Sequence, residues 1–378
     1  MNRWYLAVTL LLLLIVSAII QLGRSTAETS QVVQQPVFIS GQEGYHTFRI
    51  PALLVTPRGT VLAFCEGRKH SLHDHGDIDL VLKRSTDGGK TWSKLQVIWD
   101  DGPNTCGNPC PVVDRQQGRI WLLMTHNLGD DTESVITMGK AKGTRTVWIS
   151  YSDDDGETWS KPANITHQAK RPGWTWYATG PGVGIQLANG RLLISCDHKE
   201  PTAKGVIWRS HVIYSDDHGK TWHVGGIVGP QCNECQAAEL SDGRVMLNIR
   251  SYRGKHRRLV AVSQDGGLTF GPLREDAALV EPVCQASLLR WPYPLANQKS
   301  MLLFSNPSSQ RREKLTVRAS FDDGRTWPSH VELYGGPSAY SCLAALDVNT
   351  IGCLYERGQK NPYEAIYLAR LPLQLLLD

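Results

Sequence analysis

Ser85-Thr86-Asp87-Gly88-Gly89-Lys90-Thr91-Trp92 decides the fold, because the same pattern returns four more times. The later copies run Ser152–Trp159, Ser215–Trp222, Ser263–Phe270 and Ser320–Trp327. All five obey S-x-D-x-G-x-T-[WF], a coincidence that chance does not produce in 378 residues. The chemistry is that of a hairpin turn. The Asp carboxylate accepts hydrogen bonds from N–H groups of the turn. The Gly takes a positive φ, the Thr re-enters a strand, and the aromatic ring packs back over the turn. Apolar or alternating runs of strand length precede the copies, at Leu80–Lys83, Thr146–Tyr151, Val206–Tyr214, Leu259–Val262 and Leu315–Ala319.

Successive copies start 67, 63, 48 and 57 residues apart, close to one four-stranded propeller blade with its loops. From about Gln35 onward the chain holds about six such units, one of them without the turn motif. No long segment with a 3.6-residue apolar period follows Ile20, so helices should be few. The expectation is an all-β chain, a single six-bladed β-propeller over residues 36–378 with no room for a second domain. A stacked β-solenoid would want shorter and more even repeats. In a propeller the inner strands and loops converge on a central channel. Functional residues should therefore be unrepeated and scattered along the chain, and the turns themselves structural.

Composition narrows the function. A chain that is 41% hydrophobic and 20% charged is neither disordered nor a fibre. Its 40 Lys+Arg against 36 Asp+Glu give +4, and +2 once Arg3 and Arg24 are removed with residues 1–27. That balance carries no footprint for nucleic acid, so a bound anion must be held by locally placed cations. Residues 1–27 read as an export signal, with Arg3 ahead of an apolar run from Leu6 to Ile20 and small residues at Ser25-Thr26-Ala27. The run has 15 residues, short of the roughly 20 needed to span a bilayer. An uncleaved N-terminal anchor is the alternative, and either way the domain lies outside the cytoplasm. Residues 28–35 form a short linker, and Asn164-Ile165-Thr166 is a glycan acceptor if the source is eukaryotic. The nine cysteines are an odd number, and Cys106/Cys110 and Cys232/Cys235 lie too far apart to read as a zinc site. Buried free thiols, or one or two disulfides, are expected.

Four unrepeated segments stand out. Phe48-Arg49-Ile50-Pro51 is followed by Glu66-Gly67-Arg68 and His73-Asp74-His75-Gly76-Asp77. Asn233-Glu234-Cys235-Gln236 leads to Asn248-Ile249-Arg250. Leu315-Thr316-Val317-Arg318 comes next, and Ala339-Tyr340-Ser341 precedes Leu354-Tyr355-Glu356. Together with the repeated turns, the ordered set resembles the exo-α-sialidases of bacteria and animals, from about Pro36 to Leu373.

The resemblance implies a metal-independent glycosidase, without cofactor, acting on sialylated glycoproteins, glycolipids or oligosaccharides. Arg49, Arg250 and Arg318 match the three arginines that clamp the sugar carboxylate, a task suited to the planar guanidinium fork. Tyr340 matches the nucleophile and Glu234 its base. A neutral phenol avoids the repulsion that an attacking carboxylate would meet, but its pKa near 10 calls for a partner to take the proton. Asp74 matches the general acid, with Asp77 the next candidate, and Arg68 would contact substrate hydroxyls. Glu356 would hold Arg49 in place. Trp174-Thr175-Trp176-Tyr177 is either an aromatic loop that stacks on the substrate or a purely structural one. The basic loop from Arg253 to Arg258 reads as a solvated hairpin around Gly254. The rival functions are a trans-sialidase with the same residues, a lectin, which would need only the arginines, and a non-enzymatic propeller, which would need none of them.

Overall fold

The computed structural model describes residues 31–295 and 300–377, so residues 1–27, expected to be an export signal or anchor, lie outside the described residues. Strands dominate, and the described helices are the short stretches Glu133–Thr137, Thr166–Ala169 and Gln374–Leu377. The strands form four hydrogen-bonded sheets of seven, five, four and eight strands. Neighbours pair antiparallel, as expected for strands joined by tight turns. The exception is a single parallel pair, Ile78 with Thr105, which stitches the two halves of the largest sheet. The seven-stranded sheet also has a seam. Its 19-residue strand Ser329–Asp347 pairs with Glu313–Ser320 through its first half and with Thr350–Arg357 through its second. At the start of the described chain, Val33–Ile39 pairs with Ala365–Pro372 at its end, so the architecture closes on itself.

The repeated turns are built as the sequence implies. In each, the Ser hydroxyl donates to the Asp carboxylate at 2.7–2.8 Å and accepts the Gly N–H at 2.8–2.9 Å. The Thr N–H reaches the same carboxylate at 2.9 Å in all five. The structure adds a second role. Four of the turns lean on an earlier part of the chain, and the first leans on its last strand. A Cβ on Gly89 would meet Leu368 at 2.3 Å, on Gly156 Leu62 at 3.0 Å and on Gly219 Trp121 at 2.3 Å. On Gly267 it would meet Leu193 at 2.7 Å, and on Gly324 Met246 at 3.0 Å. The turns are therefore also staples between successive sets of strands, and the first grips the last.

Two ends of the molecule follow from this. The turns sit where strands such as Ile78–Ser85 and Arg257–Ser263 finish. Antiparallel pairing puts the finish of the preceding strand, such as Val61–Arg68 or Val245–Ser251, at the other end. The innermost strands also begin at that other end, among them Thr47–Val55, Thr105–Val113 and Cys232–Glu239. Their later residues, including Leu53, Val112, Ala238 and Leu343, line a cavity of about 750 Å³ towards the turn end. All nine cysteines are buried and free, which settles the choice between thiols and disulfides.

Candidate active site

The end opposite the turns gathers Arg49, Arg68, Glu234, Arg250 and Glu356 of the candidate residues. The Thr47–Val55 strand carries a bulge between Arg49 and Ala52, and Ile50 adopts φ 63°, a strained value for a β-branched residue. That geometry frees the Ile50 N–H to reach Glu356 Oε1 at 2.9 Å, while Arg49 Nε donates to the same oxygen at 2.7 Å. The other oxygen of Glu356 accepts the Tyr340 N–H at 3.0 Å. Glu356 is fully buried, so its charge is spent on these donors.

Tyr340 lies at the centre. Its hydroxyl donates to Glu234 Oε1 at 2.6 Å. Arg250 Nη1 donates to Glu234 Oε2 at 2.7 Å and to the Tyr340 hydroxyl at 3.1 Å. A bulge between Cys232 and Cys235 turns Glu234 towards the phenol. Burial and the neighbouring Glu234 charge push the Tyr340 phenol well above its ordinary pKa, although Arg250 and Arg312 pull the other way. The phenol is thus un-ionised at rest, with a proton acceptor already hydrogen-bonded.

The guanidinium of Arg49 lies 5.1 Å from the Tyr340 ring centre and that of Arg312 lies 5.6 Å from it. Tyr363 links these two, with Arg49 4.1 Å above its ring and its hydroxyl accepting from Arg312 Nη1 at 2.7 Å. Three buried or half-buried cations, Arg49, Arg250 and Arg312, therefore surround one phenol, and further guanidinium donors of each lack a partner among the described residues.

Arg318 does not join them, which corrects the sequence reading. Its Nη2 donates to Ser308 at 2.8 Å and its electrostatic neighbour is Asp276. It precedes the turn serine Ser320 by two residues, so it sits at the turn end of the Glu313–Ser320 strand, whereas Arg312 comes just before that strand begins. The strand order alone contained this signal.

The remaining candidates form a chain on the other side of Arg49. Glu66 Oε2 accepts from Arg68 Nε at 3.1 Å and Nη2 at 2.7 Å. Arg68 Nη2 then meets Asp74 Oδ1 at 2.6 Å, and Arg49 Nη1 lies 3.9 Å from the same atom. Asp74 is the exposed member, with 60% of its side chain open, while Arg68 is 2% exposed. Partial burial raises the Asp74 carboxyl, but the Arg68 and Arg49 charges outweigh that and hold it below its ordinary value. The alternative acid, Asp77, faces away towards Lys69 at 3.5 Å and His70 at 3.7 Å.

Residues that carried no motif also enter the site. Asn108 N–H donates to Glu66 Oε1 at 2.9 Å, and buried Arg145 donates to Thr125 Oγ1 at 3.1 Å. Both are isolated in sequence, and nothing in their spacing marks them. Trp174 is buried against His198, with ring centres 3.5 Å apart, so it is a packing residue. Trp176 carries Arg145 over its face at 4.0 Å.

Residues 59–352 match the family described as a BNR repeat-like domain. The chain is 37% identical over 359 residues to a sialidase of Micromonospora viridifaciens, covering 89% of this chain and 54% of that protein. It is 36% identical over 338 residues to a sialidase of Bacteroides fragilis, covering 84% of this chain and 61% of that one. This chain belongs to the sialidase family. It spans little more than half the length of these two relatives. The solved Hadza microbial sialidase Hz136 superposes with a TM-score of 0.81 at 33% identity, covering 91% of this chain and 69% of that one. The Trypanosoma rangeli sialidase in complex with 2,3-difluorosialic acid, a covalent intermediate, shares the fold, with a TM-score of 0.75 at 20% identity over 92% of this chain and 59% of that one.

Proposed function

We propose that the chain is an exo-α-sialidase that hydrolyses terminal α-linked sialic acids from glycoproteins, glycolipids or oligosaccharides. The observation that carries this reading is the Tyr340–Glu234 hydrogen bond of 2.6 Å inside a ring of arginines. Arg49, Arg250 and Arg312 clamp the sugar carboxylate. Asp74 protonates the departing glycosidic oxygen. Tyr340 passes its proton to Glu234 and captures the anomeric carbon, giving a glycosyl-tyrosine. Water activated by the Asp74 carboxylate then releases the sugar with retained configuration. The covalent intermediate of the trypanosomal neighbour supports that step. Arg68 holds Asp74 and contacts substrate hydroxyls.

The scaffold is read as one six-bladed propeller over residues 36–378, the shared strand and the lone parallel pair marking where the larger sheets divide into blades. Export through residues 1–27, as a cleaved signal or a retained anchor, belongs to the same reading and makes the N-terminus the route of any membrane association. No metal, cofactor or nucleic acid takes part.

The test is hydrolysis of a fluorogenic sialoside against a hexoside control, with NMR of the first-formed anomer. Tyr340→Phe should lose at least about 10³-fold in kcat while still binding a sialic acid analogue. Full turnover in that variant, or a first product of inverted configuration, sinks the mechanism.

A further inference from the structure

His73 and His75 flank the proposed acid, and their rings lie side by side with centres 5.5 Å apart and planes 23° from parallel. Asp74, between them, is committed to Arg68 Nη2 at 2.6 Å. The two imidazoles are thus grouped while the carboxylate is occupied elsewhere. The His73 ring is exposed and makes no hydrogen bond among the described residues. His70, earlier in the same loop, turns to Asp77 instead, at 3.7 Å. The other histidine pair among the described residues, His198 with His211, is buried and closed to solvent.

His75 is prepared for a ligand role. Its Nδ1 lies 3.2 Å from the Gly129 carbonyl oxygen. A carbonyl only accepts, so Nδ1 carries the proton and Nε2 keeps its lone pair free. Metal-binding histidines are oriented in this way, through a hydrogen bond from the nitrogen that does not ligate. The support is itself fixed. Gly129 N–H donates to Asn104 Oδ1 at 3.1 Å, and a Cβ on that glycine would meet the Pro103 carbonyl at 1.8 Å. Thr105 Oγ1 pins the next loop residue, donating to the Gly76 carbonyl at 3.0 Å. Imidazole nitrogens ligate Zn²⁺ at about 2.0–2.1 Å, which puts the ring centres of two ligands on one tetrahedral ion about 5 Å apart. The pair is already spaced for that. No group of three metal-ligating side chains assembles among the described residues, so water fills the remaining positions.

We propose that His73 and His75 form a two-imidazole binding site for a borderline divalent cation, Cu²⁺ or Zn²⁺, and that a bound ion slows the enzyme. The inhibition rests on the sialidase reading, and the binding does not. An ion bridging the two rings cross-links the loop across Asp74. That carboxyl has to serve the leaving oxygen first and a water afterwards, so fixing its loop opposes both steps. Hard cations such as Mg²⁺, which want oxygen ligands, are not held by imidazoles.

The test uses the full chain, stripped with EDTA and dialysed, as wild type, His73→Gln, His75→Gln and the control His70→Gln. CuSO₄, ZnCl₂ and MgCl₂ are titrated by calorimetry, and the copper sample is read by EPR. Wild type should take up one Cu²⁺ with a two-nitrogen hyperfine pattern, Zn²⁺ more weakly and Mg²⁺ not at all. Either glutamine variant at 73 or 75 should weaken Cu²⁺ binding at least about tenfold, with metal-free turnover near native, and His70→Gln should bind as wild type. On a fluorogenic sialoside, saturating Cu²⁺ should lower wild-type kcat at least about tenfold, and EDTA should restore it. Absence of the two-nitrogen signal, or unchanged affinity in both glutamine variants, overturns the site. Unchanged kcat at saturation, or equal inhibition of the variants, overturns the inhibition. Melting temperatures certify folding, and either glutamine variant alone carries the test. If metal-free wild type turns over no sialoside, the sialidase reading has failed, while the titration still decides the site.

Discussion

Arg49 and Tyr340, 291 residues apart in the chain, are fastened to the same carboxylate. Glu356 takes the Arg49 side chain on one oxygen, at 2.7 Å, and the Tyr340 backbone N–H on the other, at 3.0 Å. The proposed anion clamp and the proposed nucleophile are therefore set relative to each other by one buried residue. Replacing Glu356 by Gln leaves a single acceptor oxygen for donors that now use two, and leaves Arg49 without its counter-charge. The expected cost is about 3 kcal/mol or more in urea unfolding, with a loss of at least about tenfold in kcat/KM. An unchanged unfolding midpoint contradicts this account.

The two arginines near the fifth turn should behave oppositely. Arg312 lies 5.6 Å from the Tyr340 ring centre, and Arg318 bonds Ser308 at the far end of the strand. Arg312→Ala should raise KM about 100-fold, the loss of one charged contact to a carboxylate. Arg318→Ala should leave KM near native. Steady-state kinetics on a sialoside decide the matter, and the reverse ranking restores Arg318 to the site.

Gly219 and Gly243 share φ +83° but not surroundings. A Cβ on Gly219 would lie 2.3 Å from the Trp121 ring, and one on Gly243 would meet nothing within 4 Å. Gly243→Ala should cost about 1 kcal/mol, from backbone strain alone. Gly219→Ala should cost about 3 kcal/mol or more, because the ring must move as well. Equal unfolding free energies for the two variants would mean that the turns are hairpins only, with no part in holding neighbouring strands.

The turn carboxylates carry a pH signature. For Asp154 and Asp265 slight burial raises the pKa, but hydrogen bonds from Thr158 and Thr269 more than offset it and hold both carboxyls at about 2, against 3.8 for a free Asp. A depressed folded-state pKa gives stability that is fully present above the unfolded value and is lost as pH falls through the folded one. Melting temperature should therefore decline between pH about 4 and pH about 2. The Asp154→Asn, Asp265→Asn double variant should start lower and decline less steeply over that window. A slope identical to wild type rules these two carboxylates out as the source.

Taken by itself, the sequence determined the repeated architecture, because each turn is a local device. Ser, Asp, Gly and Thr within seven residues satisfy one another whatever surrounds them, so the fold class and the place of each turn were legible. So were Tyr340, Glu234, Asp74, Arg49, Arg68, Arg250 and Glu356 as candidates, because they sit in distinctive unrepeated motifs. Only the tertiary structure decided which end of a strand faces the site. Arg318 fell at the wrong end because two adjacent antiparallel strands finish at opposite ends of the molecule. Asn108, Arg145 and Tyr363 were invisible for a different reason. Their roles come from side chains that meet across distant strands, and such meetings leave no spacing in the chain to read.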